Sequence, residues 1–204
     1  MRKFAAAATV AGAGALALAF STPALALSWT VTNGGAVTAV NSGPIAFQDV
    51  TAGLTASCAT GSGTGNVPNG TNNSPVGTLS SLSLTGCAST SPAISFTLTV
   101  NTSGSAINVT GTTVGGVTPG NISGITVTAK AFGGLCTLTA GGGTLNGTYT
   151  NGTGALTTTG ATGVTVTSVN AGCLGIVKKG DVASLSGTFI VKNSGGTHPQ
   201  IIAS

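Results

Sequence analysis

Apolar side chains alternate with threonine or serine along most of this chain, and a period of two belongs to extended strands. Ile94-Ser95-Phe96-Thr97-Leu98-Thr99-Val100, Ile125-Thr126-Val127-Thr128-Ala129 and Val164-Thr165-Val166-Thr167 show it most clearly. Trp29-Thr30-Val31-Thr32, Leu79 to Leu84 and Leu185 to Val191 behave similarly. Successive side chains of a strand point to opposite faces, so the pattern sets branched apolar groups on one face and hydroxyls on the other. Val, Ile and Thr also suit a pleated surface by shape. No stretch beyond residue 26 carries an uninterrupted 3.6-residue period, and no helix is predicted.

Turn formers separate these runs: Asn33-Gly34-Gly35, Gly61 to Gly65, Pro68-Asn69-Gly70, Gly141-Gly142-Gly143, Asn146-Gly147, Asn151-Gly152 and Lys179-Gly180-Asp181. Gly and Asn tolerate the positive φ of tight hairpins. Short strands punctuated this often predict an all-β fold, a single antiparallel β-sandwich or sandwich-like barrel. Cys58 to Ser74 is the longest stretch without strand character and reads as a loop.

The N-terminus reads as a cleaved secretory signal peptide over residues 1–26. Arg2 and Lys3 start it, Ala5 to Phe20 form an apolar run, and Ala24-Leu25-Ala26 supplies an A-x-A cleavage pattern. Its alanine-rich character looks bacterial. Residues 27–204 then form one domain, exported to the outside of the cell or held at its surface. No later stretch is apolar and long enough to span a bilayer. Four cysteines follow, Cys58, Cys87, Cys136 and Cys173. In an exported chain they predict two disulfides, and three pairings are open. Cys58–Cys87 and Cys136–Cys173 are favoured because each pair encloses a similar block. One runs through Asn69-Gly70-Thr71 to Gly86-Cys87, the other through Asn146-Gly147-Thr148 to Gly172-Cys173, a faint internal duplication of 58–87 and 136–173. No C-x-x-C spacing supports a zinc site.

Ionisable side chains are too few for most catalytic chemistry. Beyond residue 26 the chain keeps Lys130, Lys178, Lys179 and Lys192 against Asp49 and Asp181, a formal charge of 4 − 2 = +2, with His198 the lone imidazole. Scattered lysines do not make a nucleic-acid face. Asp49 and Asp181 are the only carboxylates for a glycosidase-like pair, and both sit beside turn signals, where Asp is ordinarily a turn former. A minimal hydrolase around Asp49, Asp181 and His198 is the least favoured alternative, because no G-x-S-x-G elbow accompanies them. Catalytic, metal and cofactor residues are therefore predicted to be absent. The phenylalanines Phe47, Phe96, Phe132 and Phe189 read as core. Trp29 and Tyr149 each join an apolar body to a polar tip, and are the side chains singled out for ligand contact.

The order of a Trp-Thr-Val-Thr strand, Leu82-Ser83-Leu84-Thr85-Gly86-Cys87, and Ala171-Gly172-Cys173-Leu174-Gly175-Ile176-Val177-Lys178-Lys179-Gly180-Asp181 before a last strand pair resembles small secreted β-rich proteins of actinobacteria. That group carries no assigned catalytic residues to transfer, and the resemblance implies export and β architecture. A looser similarity is to the enediyne apoproteins, β-sandwiches with two disulfides whose cysteine spacings are tighter. The expectation is a secreted, non-enzymatic protein that binds an extracellular surface or polysaccharide, or acts structurally there. Hydroxyl-rich faces and uncharged strand edges would serve it, with self-association through those edges. The main alternative is a carrier of a small apolar molecule in a cleft between sheets.

Overall fold

A computed structural model describes residues 27–90 and 93–204; the predicted leader, residues 1–26, lies outside the described residues. The first half of the chain forms β1 (Trp29–Thr32), β2 (Gly35–Asn41), β3 (Ile45–Asp49), β4 (Leu54–Val67), β5 (Gly70–Thr71), β6 (Thr78–Ser89), β7 (Ser95–Asn101) and β8 (Ala106–Val109). The second half adds β9 (Val117–Ser123), β10 (Thr126–Ala131), β11 (Cys136–Gly141), β12 (Thr144–Thr150), β13 (Ala155–Thr162), β14 (Thr165–Val169), β15 (Ala183–Asn193) and β16 (Gln200–Ala203). The described residues hold no helix beyond two 3₁₀ turns, Phe132–Gly134 and Ala171–Cys173. All strand pairings are antiparallel. This is the predicted all-β architecture, sandwich-like, with two disulfides.

A three-stranded sheet, β16-β1-β5, packs on a thirteen-stranded one ordered β14-β11-β10-β7-β6-β4-β2-β15-β13-β12-β9-β8, with β3 inserted between β4 and β15 beyond the end of β2. The large sheet curls until its outer strands find partners. At one end, β14 meets the chain entering β15: Thr165 bridges Val182, and Val166 N–H donates to Asp181 O at 2.9 Å. At the other end, β8 meets the chain entering β6, where Val76 N–H donates to Ile107 O at 2.9 Å. Each closure forms a ring, and β4, β6 and β15 run through both. An edge strand with unpaired N–H and C=O groups invites strand addition, and this chain has few charges to guard one. Here both edges are occupied.

The two rings hold separate cores. Val31, Val37, Val67, Val76, Tyr149, Val191 and Ile201 fill the ring that the small sheet covers. Ile45, Cys58, Leu84, Cys87 and Phe189 pack inside the other, formed by β3, β4, β6, β7, β10, β11, β14 and the start of β15. Cys58–Cys87 joins directly paired residues of β4 and β6. Cys136–Cys173 joins the start of β11 to the turn after β14. Both blocks of the faint repeat therefore end as antiparallel neighbours in the second ring. The later block also contains β12 and β13, which belong to the first ring.

The expected loop from Cys58 to Ser74 is instead mostly strand. β4 runs unbroken to Val67, with Gly61, Gly63, Gly65 and Val67 buried while Thr60, Ser62, Thr64 and Asn66 are exposed. The period of two is intact, but glycine occupies the inward positions. A Cβ on Gly61 would come within 2.4 Å of Ile45 Cδ1 and 3.0 Å of both Leu84 and Phe189. Glycine here is the only residue small enough for the core to close over the backbone. Asn146-Gly147, expected as a turn, also lies inside a strand, at a bulge in the β12–β13 ladder.

Gly61→Val is expected to destabilise the protein by about 1–3 kcal/mol or more through overpacking. Gly152→Ala, in open space with no positive φ, should stay within about 0.5 kcal/mol. Urea unfolding with the disulfides intact checks both.

Candidate ligand cavity

The second ring is not filled. Between its strands lies a cavity of about 240 Å³. Its walls are the inward rows of the alternating strands: Leu82 and Leu84 from β6, Phe96, Leu98 and Val100 from β7, Val127 and Ala129 from β10, Leu138 from β11 and Val166 from β14. The threonines between them lie on the other face, where Thr128 of β10 pairs with Thr139 of β11 across strands. The β6–β7 ladder covers only Cys87–Phe96 and Ala88–Ser95. Beyond it, leucines from both strands line the space. Ile45 and Phe189 pack behind this wall in one cluster with Leu84.

The other end of the ring carries the loops after β3, β10 and β14. Of the eight large apolar side chains that stand exposed among the described residues, five are here: Val50, Phe132, Leu135, Leu174 and Val182. Phe132, expected in the core, is 46% exposed at the rim of the cavity it helps to line. Phe132 and Leu174 both have φ of 53°, a left-handed conformation rare for bulky residues. Such strain persists only where the surroundings enforce it. Enforcement comes from Cys136–Cys173, which ties the two loops together, and from the close approach of Gly172 to Leu135 O.

Asp49 and Asp181 are brought together at this mouth. Each serves its own turn: Ala52 N–H donates to Asp49 Oδ1 at 2.8 Å, and Lys178 N–H donates to Asp181 Oδ2 at 2.6 Å. The two turns are pinned to each other by Val50 N–H to Val182 O at 2.8 Å and Val182 N–H to Thr51 Oγ1 at 2.9 Å. Asp49 Oδ2 is buried without a donor. Burial raises the Asp49 pKa, against the lowering effect of the Ala52 N–H, and the charge and carboxyl of Asp181 raise it further.

His198 belongs elsewhere. Its Nδ1 donates to Val191 O at 2.8 Å. Val191 stands eight residues along β15 from Ala183, the partner of Asp49, or about 26 Å at the rise of an extended strand. The carboxylates and the imidazole do not form one constellation. Trp29 and Tyr149 also sit in the first ring and do not line the large cavity. Trp29 Nε1 donates to Asn73 O at 3.0 Å and Tyr149 Oη to Pro199 O at 2.8 Å. Burial pushes the Tyr149 hydroxyl up to about 12. Asn151 is the polar residue that sequence reasoning passed over. It is buried, accepts Ile201 N–H at 2.6 Å and donates to Ile201 O at 3.0 Å, stitching β16 to the large sheet. A turn signal, Asn151-Gly152, concealed this role. Among the described residues no cluster of three or more His, Cys, Asp or Glu side chains is placed to hold a metal, and no helix is long and apolar enough to cross a membrane. Comparison with protein families, characterised proteins and solved structures gave no match.

A carboxyl whose folded pKa is raised contributes stability below its unfolded value, near 3.8 for Asp49, and loses it as pH rises through the folded value. Asp49→Asn keeps the Oδ1 acceptor and removes the ionisation. The variant should therefore melt above the native protein at pH 7, with the gain vanishing below pH 3.8. Thermal unfolding across that range checks the sign.

Proposed function

We propose that this is an exported, non-catalytic binding protein that carries a small apolar molecule inside its second ring. The observation that supports this most is the cavity itself: about 240 Å³, walled almost wholly by Leu, Val, Ile, Phe and Ala side chains, beside the buried cluster of Ile45, Leu84 and Phe189. Protein interiors are close-packed, so a void of this size is costly unless something fills it. An apolar cavity of about 150 Å³ already accepts benzene. This one admits a longer or bulkier body. The exposed apolar rim offers such a molecule a path in that is not wholly aqueous. The two disulfides and the predicted leader support an oxidising compartment outside the cytosol. Outward threonines paired across strands suit a solvated barrel surface as well as a polysaccharide-binding face, and they lack the regular repeat that a surface lattice would need.

Burial of an apolar chain gains about 0.8 kcal/mol per CH₂, offset by the loss of motional freedom on binding. Probes of about eight carbons are therefore the shortest expected to bind measurably. Protein isolated from its own culture medium should release an apolar compound on organic extraction, seen by mass spectrometry of native and denatured material. Ala129→Phe, placed on the cavity wall, should lower the affinity for the neutral dye N-phenyl-1-naphthylamine at least tenfold while the melting temperature holds or rises. Unchanged dye affinity in a folded Ala129→Phe protein would remove the cavity from consideration.

A further inference from the structure

The inward row of β3 is Ile45, Phe47 and Asp49, with Ala46 and Gln48 on the outer face. Asp49 thus continues an apolar row into the cavity mouth and is among the residues that line it. Its Oδ1 is used by the Ala52 N–H, and its Oδ2 is buried with no donor. The groups that act on this carboxyl are the Ala52 and Thr51 N–H groups and Asp181, with no cation among them. Asp181, itself buried, approaches from the segment before β15. β4 brings Leu54 and Thr55 to the same mouth and β15 brings Ala183, none of them ionisable. Lys178 and Lys179 share the loop of Asp181, but their side chains are exposed. Among the residues that line the cavity Asp49 is the one charged group, and of its two carboxylate oxygens Oδ2 has no donor.

On the reading of this cavity as a carrier site, we infer that its ligand is an apolar body ending in a protonated amine, and that Asp49 receives that amine. An ammonium has three N–H donors and no acceptor, and supplies both the missing donor and the missing positive charge. Two adjacent carboxylates repel when both are ionised, and a cation beside Asp49 relieves that repulsion. An alcohol offers one donor without the charge. A fatty acid would place a third carboxylate beside two. To pair with Lys178 or Lys179 it would have to reach past them into water, where an ion pair contributes little.

The test is displacement of N-phenyl-1-naphthylamine by octylamine, octanol and octanoate at pH 7.5. Octylamine is expected to bind at least tenfold more tightly than octanol, with octanoate the weakest. Octylamine stays charged throughout the range, since its amine resembles that of lysine. Its affinity should rise as the pH climbs above 3.8 and Asp49 gives up its proton, while that of octanol stays level. This pH profile needs no variant. In Asp49→Asn, shown to be folded by near-UV circular dichroism, the amine should fall to the level of the alcohol. If amine and alcohol bind equally to the native protein, or octanoate binds best, Asp49 is not the anchor and the carrier reading survives alone. If none of the three displaces the dye and the dye itself does not bind, the carrier reading fails and this inference with it.

Discussion

The chamber of the second ring exists because β14 finds a partner in the few residues that precede β15. Without the hydrogen bonds between Val164–Val166 and Asp181–Ala183, the strand would end the sheet, and its N–H and C=O groups would face water or another chain. With them, the sheet becomes a wall without an end. The apolar rows of β3, β7, β10 and β11 then face one another across a shared pocket. The same segment carries Asp181 and so brings the second carboxylate to Asp49. One stretch of backbone pairing settles both the shape of the cavity and the polarity of its mouth.

That closure also explains why so much of the fold was legible and so little of the site. Strands β1, β7, β10, β14 and β15 can be read directly from apolar–threonine alternation, because side-chain direction in a strand is a local property. β4 hid from the same reading. Its inward positions are glycines, and a rule that looks for apolar residues on one face sees a loop where the structure has a 14-residue strand. What excludes a side chain at Gly61 is Ile45, Leu84 and Phe189, residues brought there only by the fold. The disulfide pairing followed from block spacing. The cavity could not follow from anything local, since its lining comes from strands scattered over more than a hundred residues and its emptiness depends on how they splay.

Asp49 and Asp181 show the same limit from the chemical side. Their role as turn holders was readable from neighbouring glycines, and each does accept a backbone N–H within its own turn. Nothing in the sequence says that the two turns meet. Their meeting turns an ordinary pair of surface turns into a carboxyl couple at the entrance of an apolar chamber. His198, equally rare in composition, gained no such neighbour and holds a backbone carbonyl in the other ring. Scarcity of ionisable groups in a sequence is thus a poor guide to which of them will act together. Strand register decides that.

The long strands shared by the two rings have one more consequence. β4, of 14 residues, and β15, of 11, pass from the chamber to the opposite core, against which the sole tryptophan, Trp29 of the small sheet, packs. Neither half can melt while leaving those strands in place for the other. A guest held in one ring, as proposed above, would lend its binding energy to the whole molecule, in proportion to RT ln(1 + [L]/Kd). The indole, which does not line the chamber, would then serve as a built-in thermometer of occupancy.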